Sequence, residues 1–153
     1  MSKISIAEFK ERLDVLCMRG GGRSWPRKPR DQHILLKSIT LLLERERTYT
    51  EQAVNVQLIE WSNLVGRTIE LDYVTLRRFL MDAGYLRRDR ADRTYRVDAT
   101  AKAELFEVEI ETINPVAVVE EAHRRAEEWK RAYLRKRREK ETGIEQTEVN
   151  TRE

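Results

Sequence analysis

DYVTLRRFLMDAGYLRRDRADRTYRV, residues 72–97, is the stretch that decides the fold. Its first half has helical periodicity from Leu71 to Ala83. At about 100° per residue, Asp72, Tyr73, Leu76, Phe79, Leu80 and Ala83 fall on one face. Val74, Arg77, Arg78 and Met81 fall on the other. Gly84 is a helix stop. Two strand-like runs follow, Tyr85–Arg88 and Thr94–Val97, with Asp89–Arg93 as the polar turn between them. Such a pair reads as a hairpin, although no Asn-Gly or Asp-Gly dipeptide fixes its turn.

Working outward, two helices precede this unit. Asp31 is an expected N-cap for a helix to about Arg45, with Ile34, Leu35, Ile39, Leu42 and Leu43 as its apolar stripe. Thr50 caps the next, with Glu51 at its positive end, Tyr49 and Val54 as a hydrophobic staple, and Val54, Leu58 and Trp61 on one face. Ser62–Glu70 reads as a polar loop. Three helices and a hairpin predict a core of Leu35, Ile39, Leu42, Val54, Leu58, Leu76, Leu80 and Leu86. The fold class is mostly α with a small β-hairpin: a winged helix-turn-helix with an N-terminal helix and a long C-terminal helix.

The flanks are read the same way. Ser5 and Glu8 form a capping box for a helix over residues 5–18, with Ile4 and Phe9 as its staple. Gly20–Gly22 ends that helix. The run from Arg19 to Arg30 holds five basic residues, Arg27 and Lys28 among them, and no acidic one. It reads either as a phosphate-tracking arm or as a solvated linker. Residues 99–113 fit a short helix or a strand. Asn114-Pro115 then opens a helix to about Glu141, acidic at its start and basic at its end, as the macrodipole favours. The expected segments are therefore 1–23, a winged-helix domain at 24–97, an extension at 98–141 and a disordered polar tail at 142–153.

Composition sets the limits on function. Lys and Arg number 30 against 27 Asp and Glu, so net charge carries little information and placement carries more. Between Arg77 and Arg96 there are seven arginines and three aspartates, so the positive excess sits on the recognition-like helix and the hairpin. Cys17 is the single cysteine and lies at a helical apolar position, which excludes an intramolecular disulfide and reads as a small buried hydrophobe. No run approaches the roughly 18 apolar residues of a membrane span. A cytoplasmic protein without membrane association is expected.

These features point to nucleic acid, with double-stranded DNA as the expected partner. A helix presenting Val74, Arg77 and Arg78 suits the major groove, where arginine pairs with guanine O6 and N7. Arg87, Arg88, Arg90, Arg93 and Arg96 on the hairpin suit phosphates. No H-E-x-x-H, C-x-x-C, Walker loop or G-x-S-x-G occurs. No enzyme activity, metal or cofactor is therefore expected, and His33 and His123 read as surface residues.

The pattern Trp25-Pro26-x-Lys28, Tyr49-Thr50-Glu51-x-x-Val54-Asn55, Asp72-x-x-x-Leu76-Arg77-Arg78-x-Leu80-x-Asp82-x-Gly84-x-Leu86-x-Arg88 and Tyr95 resembles the domain of unknown function family 2087 over about residues 24–97. The resemblance implies a winged-helix-like fold of prokaryotic proteins, some described as transcriptional regulators. The Ser62–Glu70 loop is longer than the family's usual connection. Within the matching blocks, Asn55 reads as a structural hydrogen-bonding residue, and Asp82 is placed to pair with Arg78 one turn back.

The last helix offers a different class of function. Val119, Ala122, Ala126, Trp129 and Tyr133 are spaced 3, 4, 3, 4, a short a/d seam. It would form a homodimer, dock another protein or pack back on the N-terminal helix. The alternative function is thus a protein-interaction module using the winged helix and the last helix as docking surfaces.

Overall fold

Four helices, three of them capped by a side chain, and a hairpin form around one apolar cluster, and each element starts where its local chemistry favours. The computed structural model describes residues 2–18 and 24–151, with side chains to Gly143. The Gly20–Gly22 break lies outside the described residues. The chain divides into two units, Met1–Val119 and Glu120–Glu153. The first unit thus joins segments that the sequence reading separated at 23/24 and 97/98.

Helix α1 spans Ile6–Met18. Ser5 Oγ accepts from the Glu8 amide at 3.1 Å. The Glu8 carboxylate does not complete the capping box, because it takes two bonds from the Arg30 guanidinium at 2.5 and 2.7 Å. Phe9, Leu13, Leu16 and Cys17 are buried. Burial pushes the Cys17 thiol up to about 12, so it stays protonated.

Helix α2 spans Pro29–Thr40, starting and ending earlier than the sequence suggested. Proline needs no amide partner at the first helical position and presets φ there. Asp31 is therefore inside the helix rather than its cap. It is buried and accepts from Arg12 Nε and Nη2 at 3.0 and 2.9 Å, tying α2 to α1. Beyond Thr40 the chain tightens into i,i+3 turns at Leu42 and Leu43.

Helix α3 spans Glu51–Leu64, capped by Thr50 Oγ1 accepting from the Ala53 amide. It runs through the first part of the expected loop, and Val65 and Ile69 beyond it are buried. That stretch is apolar packing as much as polar connection. Trp61 is 0% exposed. Its indole N–H donates to Ser38 Oγ at 2.9 Å, and that hydroxyl donates to the Leu35 carbonyl at 2.6 Å. A buried indole needs such a partner. Gly66 lies against the ring face: a Cβ there would stand 2.5 Å from the Trp61 ring.

Helix α4 spans Tyr73–Asp82, capped by Asp72 accepting from the Thr75 amide at 2.7 Å. Gly84 ends it at φ +83°. The amides of Gly84 and Tyr85 return to the carbonyls of Met81 and Leu80, a Schellman closure that aims the chain into the hairpin. Strands β1 (Leu86–Arg88) and β2 (Tyr95–Val97) pair antiparallel, with Leu86 opposite Val97, Arg87 opposite Arg96 and Arg88 opposite Tyr95. Asp89 Oδ1 accepts from the amides of Ala91 and Asp92, and Arg93 takes φ 56°. An aspartate turn therefore replaces the missing Asn-Gly. Tyr49 exchanges both backbone bonds with Tyr95 at 2.8 and 2.7 Å, adding a bridge beside β2.

Residues 99–113 form neither a regular helix nor a strand, but two 3₁₀ turns at Ala103–Leu105 and Val108–Thr112. Ile4 bridges to Phe106, and the Phe9 and Phe106 rings meet edge-on at 6.4 Å. Ile110 and Ile113 complete the core. Buried Lys37 is neutralised by Glu111, which also pairs with Arg45. Of the expected core residues, only Leu42 is partly buried rather than buried.

Helix α5 spans Pro115–Thr151, with Asn114 Oδ1 accepting from Val116 and Ala117. Its first turn, through Val119, belongs to the first unit. The helix runs ten residues past Glu141, where the sequence reading placed a tail.

His33 is a correction. It is partly buried, and its Nδ1 lies 2.9 Å from the Tyr85 hydroxyl. Burial, then the nearby Lys102, holds the imidazole below its ordinary value of 6.5. The neutral ring is the form the fold favours, so its stabilisation is present above the unfolded value and is lost as pH falls through the folded one.

Two outcomes follow from these contacts. Urea unfolding midpoints should decline as pH falls from about 7 to about 5, and His33→Gln should flatten that part of the decline. An equally steep profile in the variant would remove His33 as the cause. Gly66→Ala should cost about 1–3 kcal/mol by overpacking against Trp61, read as a lower midpoint at unchanged slope. An unchanged midpoint would show that the loop yields freely.

Candidate nucleic-acid interface

The geometry of α4 follows from which of its arginines is held. Arg77 is not presented outward as the helical wheel implied. Its guanidinium bonds Asn55 Oδ1 at 2.5 Å and Glu51 Oε1 at 3.0 Å, and its side chain is only 16% exposed. Arg77 therefore clasps α4 to α3, and Asn55 has the structural role read from the sequence. A wheel gives angle but not reach: a long side chain at the margin of a helix bends toward a carboxylate on its neighbour.

Arg78 is exposed, with its guanidinium 5.9 Å from the Phe79 ring centroid. Among the described residues it has no ion pair, and the expected bond to Asp82 is absent. Val74 and Met81 are also exposed, so the outward face of α4 is Val74, Arg78 and Met81. Tyr73, placed inward by the wheel, is 38% exposed because it is the first residue after the cap.

Trp25 is partly buried and packs on Phe79 at a centroid distance of 5.3 Å. Gln32 Nε2 also donates to the Pro26 carbonyl. The described part of the basic stretch is thus anchored against α4, with Arg27 and Lys28 exposed. The sequence offered the signal, a tryptophan in an otherwise polar run, but not its partner.

On the hairpin, Arg87, Arg88, Arg90, Arg93 and Arg96 are all exposed. Arg87 pairs with Asp98 at 2.7 Å. The Thr100 hydroxyl and amide, with Arg87, hold the Asp98 carboxyl below its ordinary value. That pair offsets the like charges of Arg87 and Arg96, which stand directly opposite on the strands. Arg88 lies over the Tyr95 ring at 5.9 Å. Arg88, Arg90, Arg93 and Arg96 have no carboxylate partner among the described residues. Arg87, Arg88 and Arg96 line a cavity of about 330 Å³, with Thr48 and Thr94 hydroxyls beside them and Asp89 and Asp92 at the turn. The two threonines and the concavity were missed in the sequence, because Thr48 reaches the hairpin only through the Tyr49–Tyr95 bridge.

The C-terminal seam divides. Val119 is buried in the core of the first unit, which removes it from any free interface, and Ala122 is also buried. Ala126 is exposed, and Trp129 and Tyr133 are 69% and 51% exposed. Among the described residues, no group of three or more His, Cys, Asp or Glu side chains could hold a metal. No described helix is long and apolar enough to cross a membrane.

Residues 23–97 match the model of a family described as "Uncharacterized protein conserved in bacteria (DUF2087)". No curated protein and no solved structure matches the chain. The matched segment contains the Arg77 clasp, the outward face of α4, the hairpin and the Trp25 anchor.

The two adjacent arginines should therefore behave differently. Arg77→Ala should lower stability by about 1–2 kcal/mol, through loss of charge-assisted bonds that are partly solvated. Arg78→Ala should stay within about 0.5 kcal/mol of the parent. Chemical unfolding of both variants checks this, and equal losses would contradict the division of roles.

Proposed function

We propose that the matched segment is a winged-helix module that binds duplex DNA, and that the chain serves as a bacterial transcriptional regulator rather than an enzyme. The observation that carries this reading is a contrast in how arginines are used. Within the first unit, Arg12, Arg30, Arg45, Arg77 and, on the hairpin, Arg87 are each neutralised by a carboxylate. Among the described residues, Arg78, Arg88, Arg90, Arg93 and Arg96 are exposed with no carboxylate in ion-pair contact, and these five gather on α4 and the hairpin that follows it, whereas Arg27 and Arg47 are exposed arginines of this kind elsewhere in the first unit. Unpaired cations gathered on adjoining elements suit a polyanion.

In this reading α4 enters the major groove. Arg78 reaches a guanine edge or a phosphate, and Val74 offers an apolar contact for a thymine methyl. The hairpin takes phosphate oxygens on the Arg88 and Arg96 side of the concavity, with Thr48 and Thr94 as neutral donors, away from Asp89 and Asp92 at the turn and with Arg87 tied to Asp98. Arg27 and Lys28, held near α4 by Trp25, extend the phosphate contacts. Arg77 takes no part in the contact and sets the helix that makes it.

A second reading rests on Val56 and Ile59, which are 52% and 46% exposed three residues apart on α3. An apolar pair there suits protein docking. The two readings differ in salt dependence, since DNA affinity falls steeply with salt through counterion release.

Anisotropy titration with random duplex DNA at low and moderate salt tests the proposal. Binding should weaken steeply with salt. Arg88→Ala and Arg96→Ala should each reduce the slope by about one, and Arg78→Ala should lower affinity without loss of helix. Absence of duplex binding at about 50 mM salt would overturn it, and salt-insensitive capture of a protein would favour the second reading.

A further inference from the structure

The second unit carries an unused surface. On α5 the rings of Trp129 and Tyr133 stack at 5.5 Å with an interplanar angle of 11°, both largely in solvent. At about 100° per residue, Arg125, Lys130, Lys136 and Lys140 lie within roughly 80° of the midline of that pair. Glu120, Glu121, Glu127, Glu128, Glu139 and Glu141 all fall outside that sector. Arg137, roughly 60° from the midline, is held by Glu141 at 3.5 Å, whereas the ion pairs Arg124–Glu121 and Arg131–Glu127 lie further round the helix. Among the described residues, Arg125, Lys130, Lys136 and Lys140 have no carboxylate partner. One face of α5 is therefore aromatic and mainly cationic, with Glu121, Glu139 and Glu141 at its margins and the other described carboxylates beyond them.

We infer that the Trp129–Tyr133 face of α5 is a binding surface for single-stranded nucleic acid, with unpaired bases stacked on the two rings and phosphates on Arg125, Lys130, Lys136 and Lys140. The choice of occupant follows from the chemistry of the face. A second copy would set these cations against their own equivalents in any pairing centred on the rings. A membrane surface needs a continuous apolar face, and here Leu134 points roughly 120° away from the pair's midline. In a duplex the base faces are covered by their neighbours, so cations alone would be used and the rings would gain nothing. Unpaired bases use both, and stacking on aromatic side chains tolerates any sequence. The inference is independent of the duplex reading, because it concerns a different unit and different residues.

The test uses the full chain and a labelled oligothymidylate of about 15 nucleotides, beside a blunt duplex, polyglutamate and phosphatidylserine vesicles. Anisotropy and intrinsic tryptophan fluorescence are read, with circular dichroism to follow helix content. Trp129→Ala/Tyr133→Ala should lower oligothymidylate affinity roughly tenfold or more and leave duplex affinity unchanged. Lys136→Ala/Lys140→Ala should reduce the salt dependence. Arg88→Ala/Arg96→Ala should leave single-strand binding intact, so a chain that fails to bind duplex can still satisfy this inference. It is overturned if the aromatic double variant binds oligothymidylate as the parent does. Polyglutamate bound as tightly as oligothymidylate would assign the face to an acidic polypeptide, and vesicle binding lost in the aromatic variant would assign it to a membrane. A dimer seen by sedimentation equilibrium and lost in that variant would assign it to a second copy. Each of these also overturns the inference.

Discussion

The burial of Trp61 is the constraint on which the first unit depends. A fully enclosed indole demands an acceptor for its N–H and a close surface for its ring face. Ser38 on α2 supplies the acceptor and Gly66 supplies the surface. One side chain thus fixes the approach of α2 to α3 and the path of the chain leaving α3. That path delivers Asp72, whose carboxylate starts α4 at a defined place.

Once α4 begins there, its rotation is set by two interactions of different kinds. Leu76 and Leu80 bury one stripe, and Arg77 reaches across to Glu51 and Asn55. The hydrophobic stripe alone tolerates a few tens of degrees of roll, whereas a guanidinium held by two oxygens tolerates little. The clasp leaves Val74, Arg78 and Met81 facing outward. The Schellman closure at Gly84 then carries the chain into the hairpin, whose arginines continue the cationic surface. A structural arginine beside an available one is the local arrangement that makes the surface reproducible.

Charge is handled differently in the two units. In the first, carboxylates neutralise the cations that approach the core, as Glu111 does for Lys37 and Arg45. Burial alone would raise the Glu111 carboxyl, but the bonds from both cations outweigh it and hold it below the ordinary range. Along the exposed length of α5 beyond Ala122, charge is sorted by face instead. The same composition therefore produces neutral clusters inside one unit and a segregated surface on the other.

Much was legible in the sequence alone because it is local. The caps at Ser5, Thr50 and Asn114, the stop at Gly84 and the helical stripes each depend on residues within about two turns, although Asp72 reads as part of its helix and is in fact the cap. The mostly helical class, the small hairpin and seven of the eight expected core residues follow from those signals, whereas Val65, Ile69, Phe106, Ile110 and Ile113 join the core from stretches that read as loop or undecided. What only the tertiary structure decided are the contacts between elements distant in sequence. Asp31 reads as a cap until Arg12 meets it, and Glu8 as half of a capping box until Arg30 takes it. Arg77 reads as an outward cation until α3 brings Asn55 and Glu51 within its reach. His33 reads as a surface residue until Tyr85 folds beside it, and Trp25 as part of a linker until Phe79 receives its ring. Periodicity gives the direction in which a side chain leaves its own element, but the partner it finds is set by the other elements, and that partner decides whether a charge is spent inside the fold or left for a ligand.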